Sequence, residues 1–270
     1  MSATFDFSDK AVFVAGGTSG INLGIARAFA DAGARVAVLS RSQEKVEAAV
    51  ALLTRSAPQA LGYAADVRDY EAVEEALKSA RNEMGDLDIL ISGAAGNFPA
   101  PALGMSPNAF ASVVNIDLLG TYHVLRAAYP VMRKPGASIV NISAPQAFLP
   151  MAQQMHVCAA KAGVDMITRV GALEWGADGV RVNSVVPGPI EGTEGMARLA
   201  PGADAQAAVI RSVPLRRFGT TRDVATCCLW LCSEQASYVS GAIIPVDGGW
   251  SLGGAAGLMN AAALAGKSDR

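Results

Sequence analysis

The sequence predicts an α/β fold: a doubly wound parallel sheet of about seven strands with helices on both faces. Three observations carry this. Short β-branched runs recur along the chain, they are apolar on both faces, and longer Ala/Leu/Glu/Lys-rich stretches separate them. Strands apolar on both faces suit a parallel sheet, because crossover helices shield each surface from water. The alternation itself dictates βαβ winding.

The first strand, Ala11–Ala15, runs straight into Gly16-Gly17-Thr18-Ser19-Gly20-Ile21-Asn22, and a helix opens near Leu23. Glycines let the backbone approach an anion, and the free N–H groups of a helix start stabilise its charge. A glycine cluster can also be a plain tight turn; its place between a first strand and a helix favours the phosphate site. The second strand, Arg35–Leu39, leads to Ser40-Arg41 and a helix over Ser42–Leu53. An acidic side chain there would accept from a ribose hydroxyl. Arg41 would instead pair with a 2′-phosphate, or else is a solvated surface arginine.

Leu61–Ala65 is the third strand, followed by Asp66-Val67 and a helix over Tyr70–Glu83. The fourth, Asp88–Ser92, leads into Gly93-Ala94-Ala95-Gly96, and one long helix is expected over Asn108–Met132. Ser138–Ser143, Val180–Val186 and Ala242–Val246 complete the sheet, with a helix over His156–Trp175 after the fifth strand. No Pro/Ser/Gly-rich linker interrupts the pattern, so residues 1–270 read as one domain. Within it, 191–215 is expected to be a substrate lid, and the Gly/Ala-rich 251–270 a loosely held tail.

Composition narrows the function. Of 270 residues, 51% are apolar and 17% charged, enough for a sizeable core and incompatible with intrinsic disorder. Lys+Arg 22 against Asp+Glu 24, with no basic stripe, argues against nucleic acid as a partner. The four cysteines form no C-x-x-C pair and meet no histidine cluster, so reduced buried thiols are expected and no metal site. No apolar run of about 18 residues calls for a membrane. With no basic-then-apolar leader at the start, a cytoplasmic setting is expected.

Taken in order, the motifs resemble the short-chain dehydrogenase/reductase family. They are Gly16-x-x-x-Gly20-Ile21, Asp66-Val67, Ser92-Gly93-Ala94-Ala95-Gly96, Val140-Asn141-Ile142-Ser143, the Lys161 helix, Arg181-Val182-Asn183 with Pro187-Gly188, and Asp247-Gly248-Gly249. The resemblance implies a Rossmann-type sheet and a nicotinamide cofactor. Its site would draw on Gly16, Thr18, Ser19, Gly20, Ile21, Ser40, Arg41, Asp66, Val67, Gly93, Ala94, Lys161, Pro187, Gly188 and Ile190. With Arg41 where an acid would select NAD, NADP(H) is expected. Asn22 departs from the family, whose third glycine it replaces.

The chemistry departs further. The family's tyrosine, four residues before the lysine, falls on Val157, and its serine on Ala144. Neither side chain can move a proton, so alcohol/ketone chemistry with a tyrosine acid is disfavoured. Lys161 sits among small apolar residues, where a charge needs a partner or must snorkel outward. Asp117 stands at the family's helical asparagine. It either binds a water that Lys161 helps make a proton donor, or pairs structurally.

Ala94-Ala95-Gly96-Asn97-Phe98, Asp117, His156, Glu174-Trp175-Gly176 and the run Pro187–Gly195 are similar to the 2,4-dienoyl-CoA reductase branch, peroxisomal type. That resemblance implies NADPH-dependent reduction of a conjugated dienoyl-CoA thioester, with Asp117 and Lys161 catalytic. Hydride would reach the far end of the diene and a water-derived proton the α carbon. Asn97, Phe98, Gln146 and His156 are expected to edge the acyl pocket, although His156 reads more readily as a packed or hydrogen-bonded core histidine. Arg198, Arg211, Arg216 and Arg217 are equivalent candidates for CoA contacts. A homotetramer is implied, with Asn108–Met132, His156–Trp175 and Gly241–Trp250 as interfaces. Two alternatives stay open: a carbonyl or enone substrate outside CoA metabolism, and a non-catalytic NADPH-binding protein.

Overall fold

The computed structural model describes residues 4–253. Its strands are β1 (Ala11–Ala15), β2 (Arg35–Ser40), β3 (Ala60–Ala64), β4 (Ile89–Ser92), β5 (Ser138–Ile142), β6 (Arg181–Pro187) and β7 (Ile243–Val246). They form one parallel sheet in the order β3-β2-β1-β4-β5-β6-β7. All seven lie within a residue or two of where the sequence places them.

The period of two in each strand divides the core into two layers. Val12 and Val14 face α1 (Gly20–Asp31) and α9 (Thr221–Cys232), packing with Ile25, Phe29, Val224 and Cys228. Ala11, Phe13 and Ala15 face α3 (Tyr70–Met84) and α5 (Gly120–Ala128), packing with Leu77, Met84, Val124 and Leu125. The inner strands are buried on both faces, whereas β3 and β7 at the sheet edges are partly exposed; β5 and β6 also bury Ser138, Asn141, Asn183 and Ser184. Winding reverses between β1 and β4, and such a reversal opens a crevice beyond the carboxyl ends of those strands.

The helix predicted over Asn108–Met132 is present without a break from Pro107 to Val131, but its winding is not uniform. It is α4 (Pro107–Val114), a wide π turn over Asn115–Leu119, α5, and a 3₁₀ turn over Tyr129–Val131. The wide turn reflects the contacts this segment must reach. Asp117 turns inward to the loop after β4, and Thr121 Oγ1 donates to its carbonyl oxygen at 2.6 Å. At Gly120 an added Cβ would lie 2.6 Å from Val67 Cγ2. A π turn inserts an extra residue and rotates the next stretch of helix, a device frequent at functional sites.

The remaining helices are α2 (Gln43–Leu53), α6 (Met155–Trp175), α7 (Glu194–Leu199) and α8 (Ala203–Ser212). The last two occupy the segment expected as a lid. Of the expected tail, residues from 254 onward lie outside the described residues. Among the described residues no helix is long and apolar enough to cross a membrane, and no cluster of three metal-ligating side chains forms.

Candidate active site

The crevice beyond β1 and β4 is a cleft of about 290 Å³. Its floor is the glycine turn. Gly16 and Gly20 have φ of 78° and 53°, a region open to glycine. A Cβ on Gly16 would lie 2.9 Å from Ala94 Cα, so only glycine keeps this approach of β1 to the β4 exit. The helix start above it is unsatisfied. Ser19, the N-cap of α1, makes no side-chain cap, and the first turn carries no acid. By contrast Ser42, Asp69, Ser106 and Thr220 cap α2, α3, α4 and α9. Free N–H groups at a helix start, over a cradle a Cβ would fill, fit the pyrophosphate of a dinucleotide.

Gly16, Thr18, Ser19, Ser40, Arg41, Asp66, Val67, Gly93 and Ala94 all line this cleft, together with Asn22, Lys45 and Glu194. The Arg68 guanidinium beside Asp66 holds its carboxyl below the usual range, against the opposing effect of burial; Arg41 adds a smaller pull. Gly20 and Ile21 belong to the first turn of α1 rather than to the cleft wall. Pro187, Gly188 and Ile190 follow β6. Gly188 donates to Val246 O at 3.0 Å, and a Cβ on it would lie 2.6 Å from Asp247. Ile190 bridges to Gly219 and borders a second cleft, of about 550 Å³. Thr193 begins α7 close to the glycine turn, its Cγ2 3.9 Å from where a Gly20 Cβ would be.

Lys161 and Asp117 meet. Both are buried, at 5% and 1% exposure, with Nζ 3.5 Å from Asp117 Oδ2. The second carboxylate oxygen accepts from Gly96 N at 2.7 Å. Lys161 also donates to Ile142 O at 3.1 Å, at the β5 exit. A buried charge with a partner and further hydrogen bonds on each side is tolerable; either charge alone would not be. The lysine therefore points inward rather than snorkelling.

Val157 is buried on the same helix, and no tyrosine is near. Tyr63, Tyr70 and Tyr129 bond Glu83, Glu74 and Asp178, Tyr122 receives Arg126, and Tyr238 is fully exposed.

The residues expected to edge an acyl pocket gather around an amide. Asn97 Nδ2 and Gln146 Nε2 both donate to Gln154 Oε1, at 3.3 and 3.0 Å. The Phe98 ring meets His156 edge-on at 4.6 Å between centroids. His156 is wholly buried, and neither ring nitrogen has a partner among the described residues. Gln154 is a residue the sequence reading missed; nothing in the local pattern marks it. Asp165 was also missed, although its position four residues after Lys161 puts it on the same helical face. Burial raises its pKa, against Ser143, Ser184 and the nearby cations. Ser184 Oγ donates to it at 3.3 Å.

The arginines expected at CoA separate. Arg217 is engaged with Asp223 at 2.8 and 3.0 Å, and Arg216 bonds the Arg211 carbonyl. The Arg198 side chain lies outside the described residues.

Comparison with known proteins agrees with this geometry. Residues 15–251 match the family described as enoyl-(acyl carrier protein) reductase. The chain is 45% identical over 244 residues to a peroxisomal 2,4-dienoyl-CoA reductase of Rattus norvegicus, covering 89% of this chain and 83% of the relative. It is 38% identical over 243 residues to a Bacillus subtilis protein named a probable 2,4-dienoyl-CoA reductase, covering 89% and 96%. A solved short-chain dehydrogenase from Bacillus anthracis superposes with a TM-score of 0.81 at 37% identity, covering 90% of this chain and 96% of that one. This chain joins seven parallel strands, a glycine turn open to an anion and a buried lysine on the helix after β5, and with these matches over nearly its whole length it belongs to the short-chain dehydrogenase/reductase family.

Proposed function

We propose that this enzyme is an NADPH-dependent reductase of conjugated enoyl- and dienoyl-CoA thioesters. The observation that carries the reading is the buried Asp117–Lys161 pair, present where a tyrosine acid is replaced by Val157. The relatives named for 2,4-dienoyl-CoA reduction support it.

When bound, the nicotinamide supplies a hydride to the far carbon of the diene. The glycine turn and the open start of α1 would hold its pyrophosphate, and Arg41 its 2′-phosphate. Beside the Ile142 carbonyl and Asp117, the Lys161 ammonium would offer an N–H to a ribose hydroxyl or a water. Asp117, fixed by Gly96 N and by Lys161, orients that water, whose proton goes to the α carbon. Developing charge rests on the thioester oxygen, an enolate that needs donors more than a strong acid. Asp165, one turn beyond Lys161, keeps a second carboxyl on this face whose pKa burial raises. The segment 191–215 acts as a lid, its α7 beginning at the glycine turn.

The same reading takes the assembly as a homotetramer in the cytoplasm. Exposed Leu119, Tyr122, Met166, Val170 and Leu173 on the two expected interface helices support self-association.

The test is NADPH oxidation with 2,4-dienoyl-CoA and 2-enoyl-CoA thioesters. Turnover by the wild type that falls about 10²–10⁴-fold in Asp117→Asn and in Lys161→Ala is the expected result. Binding of NADPH with no thioester reduced would overturn it.

A further inference from the structure

Asn22 occupies a place where a side chain has little room. It lies in the first turn of α1, is 9% exposed, and lines the cofactor cleft. Its Nδ2 donates to Gly93 O at 2.7 Å, across 71 residues of sequence. The same carboxamide touches both flanks of the cleft. A Cβ built on Gly16 would lie 3.2 Å from Nδ2, and one built on Gly93 would lie 2.4 Å from Oδ1 and 2.5 Å from Nδ2. Oδ1 is buried without a partner among the described residues. The side chain thus fills the gap between the glycine turn and the β4 exit, and residue 93 must be glycine while it does.

We propose that Asn22 is a cofactor-positioning residue. Its carboxamide ties the start of α1 to Gly93 and so sets the width of the cleft before any cofactor arrives. The consequence is preorganisation. Four backbone N–H groups at a helix start have no internal partner, and they serve an anion best when already aimed. A link to the neighbouring strand exit keeps the turn from relaxing, so less ordering is left for the binding step. Asn22 and Gly93 then act as one unit: the larger residue at 22 requires the smallest at 93. This rests on the glycine turn being the nicotinamide-cofactor site.

The experiment is fluorescence titration of NADPH and NADH against wild type, Asn22→Ala, Gly93→Ala and the double variant. Urea unfolding of each confirms that it folds. Asn22→Ala keeps a helix-forming residue while removing the amide, and should raise both dissociation constants about three- to tenfold. In kinetics the loss falls more on cofactor KM than on kcat. Gly93→Ala should weaken binding while Asn22 is present, because its methyl meets the carboxamide. In the Asn22→Ala background the same methyl enters vacated space, and the penalty should shrink by about threefold or more. Wild-type dissociation constants in Asn22→Ala would overturn the proposal, even if stability fell. So would a Gly93→Ala penalty equal in both backgrounds. A wild-type protein that binds neither cofactor would overturn the cofactor reading and this proposal with it.

Discussion

Two buried aspartates flank the same central strand, one at each end, and they are treated differently. Asp88 lies at the foot of β4. It accepts from Ala11 N at 2.9 Å and Arg133 Nε at 2.7 Å, with Lys10 at 3.5 Å; both cations are about half exposed. Its charge is answered by side chains that also reach water, and its backbone partner ties β4 to β1. Asp117, beyond the other end, has a buried charged partner, Lys161, at 3.5 Å. Two aspartates with similar burial therefore carry different meanings. A carboxylate satisfied by half-exposed cations is a staple. A buried pair beyond the carboxyl ends of parallel strands lies where such sheets open a crevice, the setting on which the proposed function draws.

The sharpest way to break this contrast is to remove each carboxylate in turn. Asp117→Asn should lower turnover by about 10²–10⁴-fold. Asp88→Ala should leave turnover per folded molecule as it is. It should lower the unfolding free energy by about 1–3 kcal/mol, read as a shift in urea midpoint, because Ala11 N–H is left buried and unpaired. A fall in turnover with Asp88→Ala would end the distinction.

A smaller effect sharpens the ligand end. Arg41→Ala should reduce preference for NADPH over NADH by about 10- to 100-fold, since a charge-assisted bond to the 2′-phosphate is lost. Unchanged preference in paired titrations would make Arg41 a surface arginine.

The smallest concerns a third carboxyl. Burial raises the folded pKa of Asp165 above the ordinary value of 3.8. Between those two values the folded protein holds a proton that the unfolded chain does not. Stability therefore falls as pH rises through that window, and the cost is complete above the folded pKa. Asp165→Asn should accordingly stabilise the protein at about pH 7, with the gain shrinking toward about pH 4. Urea midpoints at both values check this; an equal gain at each would mean that charge burial is not the cause.

Much of the ligand end was legible in residues alone, and the reason is locality. Glycines at 16 and 20 between a strand and a helix announce their backbone freedom within a few residues. Lys161 among small apolar neighbours announces that it needs a partner. The absence of a tyrosine from α6 can be read directly. What stayed hidden involved distance. Gln154 becomes notable only when Asn97 and Gln146 arrive beside it from other loops. Asp165 shares a helical face with Lys161 by its spacing, but its burial and its hydrogen bond from Ser184 of β6 come only with the fold. His156 could be placed in the core or the pocket; the structure buries it completely, edge-on to Phe98.

The sequence by itself determined the seven strands, their parallel winding, the glycine turn and the loss of the tyrosine. Each is written in patterns of two to about eighteen residues, the range over which periodicity and backbone freedom act. Tertiary structure alone decided where Asp117 points, because a helical pattern cannot say where an inserted π turn will rotate it. It alone decided that Asn22 faces Gly93, since that contact depends on how closely β1 and β4 exit side by side. Close packing makes such distances sharp, and sharp distances between remote residues are what a one-dimensional pattern does not contain.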